Sequence, residues 1–293
     1  MSELLTVLTE PFAYEYMVKA IVLSSMVGGV CAFLSAYLML KGWSLIGDAL
    51  SHAVVPGVAI AYALSLPYAV AAFFAGLLAA MSILWVKSLT KLKEDAIIGL
   101  IFTTFFALGL FIISINPTSV NVQEIIFGNI LGISDGDAIQ VGIVMAVSFV
   151  LLLIFWKDLL LVFFDEIHAK SVGLSPWSYK ILFFSLLSAC VVSALQTVGA
   201  ILVIAMVITP GAIAYQLTDK FRPLIIIAGM IGVLTCGIGA YASYFFDGVT
   251  GGVIVSLQTF IFLLAFLFSP KFGMITQKRR SKLMASYSSR KLG

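Results

Sequence analysis

The sequence predicts an all-α, polytopic membrane protein, and three observations carry that prediction. Apolar residues make up 61% of the chain, against roughly 45–50% in a soluble globular protein. Charged residues make up only 11%, where about 25% is usual. That is too little to coat a soluble fold of 293 residues. The apolar residues fall in continuous runs of about 17–25, the length at which a helix crosses a bilayer. A transmembrane strand would instead show alternation. This composition excludes a cytosolic enzyme and a disordered scaffold. The formal net charge of +3 is too small for binding to nucleic acid, and most of the excess sits in one tail.

Nine spans are expected in order, at roughly 18–40, 46–66, 68–86, 96–115, 138–156, 180–195, 198–217, 224–245 and 252–269. The first is too long for a cleaved signal and has no basic region before it. The sixth and seventh are separated only by Gln196-Thr197. Lys and Arg collect in cytoplasmic loops, which orients the chain. With the N-terminus outside, the inner loops hold Lys41; Lys87, Lys91 and Lys93; Lys157, Lys170 and Lys180; and Lys220 with Arg222. The tail adds Lys271, Lys278, Arg279, Arg280, Lys282, Arg290 and Lys291, so sixteen of the seventeen basic residues lie inside and Lys19 is the exception. An N-out, C-in arrangement follows. One transmembrane domain (1–280) and a basic cytoplasmic tail (281–293) complete the organisation, which places the chain in a membrane as a multi-pass protein.

The outer face is acidic, with Glu3, Glu10, Glu15, Glu124, Asp135, Asp137 and Asp247. These either solvate loops or draw cations weakly. The outer segment from Val120 to Ile133 contains Gly128 and Gly132 and is too short to span; it is expected to lie on or dip into the outer leaflet. Cys31, Cys190 and Cys236 all fall in apolar runs, lack metal-ligand spacing and are odd in number, so no disulfide framework is expected.

Ionisable groups inside a membrane are costly and mark function by default. The main instance lies in Gly47-Asp48-Ala49-Leu50-Ser51-His52-Ala53-Val54-Val55-Pro56-Gly57. Asp48 and His52 are four residues apart and share one helical face. Such a pair serves as a structural hydrogen bond, a proton relay or part of a metal site. Carboxylate oxygen with imidazole nitrogen suits borderline divalent ions such as manganese, iron or zinc, whereas copper(I) prefers sulfur. Two ligands do not close a site. A twofold dimer would bring two Asp and two His around one axis, and two carboxylates balance a divalent charge. His168 falls in an inner loop and is expected to be solvated.

Pro56-Gly57 and Pro210-Gly211 each precede an Ala-Ile-Ala-Tyr-like run. Either chance or an inverted repeat of the kind found in transporters accounts for the match. A helix kink is expected at both, because proline removes a backbone hydrogen bond. The longest inner loop, Phe164 to Pro176, mixes polar and apolar residues as a short amphipathic helix does; it is either a connector or a docking surface. The sequence has no G-x-x-x-x-G-K-[ST] loop for ATP and no H-E-x-x-H.

The motif at 47–57 resembles the signature of the permease subunit of bacterial manganese/zinc/iron ABC importers. The resemblance continues through Val198-Gly199-Ala200-Ile201-Leu202-Val203, Thr209-Pro210-Gly211-Ala212 and the Asp-Glu-x-x-Ala-x-x-x-Gly-Leu loop at 165–174. It implies a type II ABC importer-like fold in a bacterial cell membrane. It further implies a homodimer with a cytoplasmic ATP-binding subunit on each inner face and an extracytoplasmic metal-binding protein outside. Asp48 and His52 become metal ligands of the pore. The loop becomes the helix that fits the ATPase, with Asp165, Glu166, Ala169, Gly173 and Leu174 as its matching positions. No permanent cofactor is implied, since the divalent metal is cargo. The Ser-His-x-x-x-Pro-Gly form lies closer to manganese and iron members than to zinc ones, and Mn2+ is the expected ion. A self-sufficient, proton-coupled transporter is the rival reading.

Overall fold

The computed structural model describes residues 2–115, 130–269, 271 and 273, and every regular element among them is helical. In chain order these are α1 (Ser2–Thr9), a 3-10 turn (Glu10–Ala13), α2 (Glu15–Lys41), α3 (Ser44–Ala53), α4 (Val55–Leu64), α5 (Tyr68–Leu89) and α6 (Glu94–Ile115). A second 3-10 turn (Ile130–Gly132) leads to α7 (Asp135–Phe164), α8 (Glu166–Ser171), α9 (Pro176–Val198), α10 (Ala200–Leu217), α11 (Phe221–Phe246) and α12 (Thr250–Phe268). Among the described residues, eight stretches are long and apolar enough to cross a membrane: α2, α3 with α4, α5, α6, α7, α9, α11 and α12. The shorter apolar helix α10 occupies the seventh expected span. Residues 120–129 and 281–293, for which an outer-leaflet segment and a basic tail are expected, lie outside the described residues.

Three boundaries differ from the sequence reading. The stretch expected as one span at 46–66 divides at Val54. Pro56 has no N–H for the His52 carbonyl, and that carbonyl accepts from the Val54 N–H instead. α7 runs on to Phe164 past Lys157 and Asp158, and Asp158 accepts from the Tyr179 hydroxyl of α9 at 3.1 Å. The separation between the sixth and seventh stretches lies at Gly199, with φ +83°, rather than at Gln196-Thr197. Pro210, by contrast, sits within a continuous α10. There Ser35 of α2 donates to the Ile208 carbonyl and accepts from the Gly211 N–H, both at 3.1 Å. The hydroxyl thus serves the backbone around the proline, and the two Pro-Gly pairs behave differently.

α2 lies at the centre, packed by α11, α10, α7 and α9. Between apolar helices in lipid there is no hydrophobic drive, so close backbone approach through small residues supplies the packing. Gly28 and Gly232 show this at the crossing of α2 and α11. A Cβ on either would collide with the other's carbonyl, and Ala32 and Cys236 fill the flanks. α2 ends at Gly42, whose φ of +71° closes a Schellman turn. There the Trp43 N–H bonds the Leu38 carbonyl at 2.8 Å and directs the chain into α3.

Ion pairs mark the two ends of the bundle. Lys19, the one basic residue expected on the outer face, pairs with Glu15 at 2.8 Å and with Asp135 at 2.6 Å. At the opposite end, Glu166 pairs with Lys180 at 2.6 Å and with Lys41 at 4.0 Å, and Glu94 pairs with Lys87. The carboxylates there meet lysines that the sequence assigns to one face. The three cysteines are free and buried.

Candidate functional site

α3 is amphipathic at helical period. Ile46, Ala49, Leu50 and Ala53 are buried, the i, i+3, i+4, i+7 stripe of a packed face. Ser51 is also buried and donates to the Gly47 carbonyl at 2.8 Å. The other face carries Leu45, Asp48 and His52. The side chains of Asp48 and His52 are 39% and 27% exposed. His52 Nε2 lies 3.4 Å from Asp48 Oδ1, longer than the roughly 2.7–3.2 Å of a closed hydrogen bond. The pair therefore does not satisfy itself, and both groups keep free ligand atoms. Phe102 and Phe106 of α6 flank the imidazole, with ring centroids at 5.4 and 5.6 Å.

Among the described residues no group of three or more His, Cys, Asp or Glu is placed to hold a metal. Asp48 and His52 are thus a half-set. A carboxylate turned toward hydrocarbon is expensive, so the exposed face of α3 requires a polar cavity or a covering partner.

The Phe164–Pro176 loop forms the short helix α8. Asp165 caps it, with Oδ1 accepting from the N–H groups of Ile167 at 2.9 Å and His168 at 3.0 Å. The His168 N–H, followed by that of Ile167, holds the Asp165 carboxyl below the usual carboxylate range. Burial pulls the Glu166 carboxyl upward, but the hydrogen bond and charge of Lys180 and the charge of Lys41 outweigh it and hold it below its ordinary value. Glu166 thereby ties α8 to the end of α2 and the start of α9. Ala169 is fully buried and Leu174 packs on the core. Gly173, with φ +90°, lets the Leu174 N–H reach the Ala169 carbonyl at 3.0 Å, a turn that strains any side chain.

Of the five loop residues singled out in the sequence, Ala169 is buried, Glu166 and Leu174 are half-buried, and Asp165 and Gly173 shape α8 while remaining exposed. The outer surface also carries Phe164, Ile167 and Val172, which are 76%, 82% and 60% exposed, with exposed His168 and Lys170 between them. The sequence reading passed over these apolar residues, although apolar residues in a polar loop were the available signal. It also missed Trp43, Glu94, Phe102 and Phe106, which no local spacing links to Asp48 or His52.

A helical bundle of this kind, with an ionisable pair on a broken spanning helix and a capped helix at one end, defines a multi-pass membrane transport subunit. The chain belongs to the ABC 3 transport family, whose model matches residues 13–269. It is 66% identical over 280 residues to the chelated iron transport system membrane protein YfeC of Yersinia pestis, covering 96% of this chain and 95% of that one. It is 48% identical over 275 residues to the manganese transport system membrane protein MntB of Synechocystis, covering 94% and 90%. The solved structure of PsaBC from Streptococcus pneumoniae in complex with Fab aligns with a TM-score of 0.80 at 35% identity, covering 90% of this chain and 96% of that one. The expectation of a metal ABC importer permease rather than an enzyme agrees with these relatives.

Proposed function

We propose that this chain, as a homodimer, forms the inward path for Mn2+ or Fe2+, with Asp48 and His52 of each copy binding the ion. It is oriented N-out and C-in, receives metal from an extracytoplasmic metal-binding protein and is driven by a cytoplasmic ATPase seated on α8. The observation that carries this reading is the half-set on α3: two unclosed ligands of the right chemistry on a partly exposed face. A second copy would complete four ligands and remove the cost of exposing a carboxylate to lipid. Carboxylate and imidazole suit Mn2+ and Fe2+ alike. The relatives divide the same way, MntB being named for manganese and YfeC for chelated iron.

The test is uptake by liposomes holding the chain with its ATPase and metal-binding protein, offered both ions together. Transport that requires ATP and proceeds without a pH gradient supports the reading, and the ion accumulated identifies the cargo. Transport that needs a pH gradient and no ATP establishes the proton-coupled rival.

Two outcomes are expected at α8. Asp165→Ala removes the cap and should weaken ATPase binding about fivefold, the scale of a lost N-cap, whereas Asp165→Asn, which still caps, should bind normally. Because the Asp165 carboxyl titrates below its usual value, the charge that strengthens the cap is fully present above the ordinary carboxylate range and is lost only as pH falls through the lowered value. Gly173→Trp should uncouple ATP hydrolysis from uptake while leaving metal binding intact. Normal transport and unchanged ATPase affinity in Gly173→Trp would remove α8 as the docking element.

A further inference from the structure

Trp43 occupies the joint between α8 and the metal-binding helix. It is buried at the first position before α3, five residues ahead of Asp48. Its indole stacks on Phe184 of α9, centroids 5.6 Å apart, and meets the edge of Phe163 at 5.5 Å. Phe163 is the second residue before the Asp165 cap. The indole N–H donates to Glu94 Oε2 at the start of α6, and the other oxygen of Glu94 pairs with Lys87. The Lys87 ammonium also lies 4.9 Å from the Trp43 ring centroid.

This cluster joins the starts of the two helices between which His52 lies. α6 carries Phe102 and Phe106 against the His52 ring. At about 1.5 Å per residue, nine residues separate Trp43 from His52 by roughly 13 Å along the helix. One aromatic contact, Phe163 against Trp43, thus connects the α7–α8 corner to the start of α3. The Trp43–Glu94 hydrogen bond ties the start of α3 to the start of α6.

We propose that Trp43 is a positioning residue that transmits movement of α8 to α3, and so to Asp48 and His52, with Glu94 and Lys87 holding the indole in register. The proposal rests on the reading of α8 as the ATPase seat and of Asp48 and His52 as metal ligands. Trp43→Phe keeps one aromatic ring in the packing but removes the N–H donor together with part of the buried ring. The loss of the hydrogen bond alone is therefore read from Glu94→Ala and its recovery in Glu94→Gln. Glu94→Ala removes the acceptor and the partner of Lys87, and Glu94→Gln restores an acceptor.

The experiment measures ions moved per ATP hydrolysed by the complete complex in liposomes, alongside complex assembly and thermal stability. Trp43→Phe and Glu94→Ala should each lower that ratio about tenfold, the scale of one hydrogen bond to a charged group, with assembly and ATP turnover retained. Glu94→Gln should recover most of the loss. A normal ratio in both Trp43→Phe and Glu94→Ala overturns the proposal. So does a fall in uptake that only follows a fall in assembly or stability, since that marks plain packing. Asp48→Asn run in parallel separates the two readings. Uptake by Asp48→Asn removes the metal site itself, whereas loss of uptake in Asp48→Asn beside a normal ratio in both Trp43→Phe and Glu94→Ala removes only the relay.

Discussion

Asp48→Asn is expected to abolish metal uptake while the complex still assembles, and His52→Ala is expected to do the same. Asn preserves the size of the side chain and removes the charge that offsets a divalent ion. Ala removes a neutral imidazole nitrogen, the form that binds metal. Neither change disturbs the packed face of α3, because Ile46, Ala49, Leu50 and Ala53 make that contact. Three readings of the pair then separate cleanly. A structural pair predicts that uptake and assembly are lost together. A proton relay predicts that wild-type transport depends on a pH gradient. A metal site predicts loss of uptake alone, measured with assembled complexes, ATP and equal pH on both sides. Full transport by both mutants would falsify the assignment.

The second large effect concerns stability. Gly232→Leu should destabilise the chain by at least about 3 kcal/mol, the upper end of the cost of forcing atoms into a packed interior. A Cβ at this position meets the Gly28 carbonyl and Ala32, and a backbone carbonyl has no rotamer by which to move aside. Gly229→Leu is the matched control, because a Cβ there meets nothing within 4 Å. The measurement is the thermal midpoint of the purified chain in detergent. A Gly232→Leu midpoint equal to that of Gly229→Leu would show that α2 and α11 do not cross as closely as described.

Much of this architecture was legible in the sequence because lipid imposes a length and a polarity on each helix. The continuous apolar runs at 68–86 and 96–115 became α5 and α6 with ends shifted by a few residues. The Asp48 and His52 spacing likewise follows from helical period alone. Less legible was the division at Val54, which depends on the neighbours that receive a broken helix, with Gly109 set against Val55 and Pro56. Pro210 carries the same local signal yet stays helical, because Ser35, distant in sequence, serves its flanking backbone. The tertiary partners of the site were invisible for the same reason. Trp43 and Glu94 lie fifty-one positions apart, and nothing in either segment names the other.

The central place of α2 has a consequence for how the chain is made. It precedes every other spanning helix among the described residues, and its main partner, α11, comes after all of them but α12. About 200 residues separate Gly28 from Gly232, and at roughly 5–20 residues per second their synthesis occupies ten seconds or more. Through that interval the Gly28 face of α2 waits in the membrane without the helix that covers it in the finished fold. Helices made in between can insert and pair, as α4 does with α5, but the crossing at Gly28 closes only when α11 arrives. Substitutions that make the waiting face stickier should therefore harm biogenesis even where they would fit the finished fold.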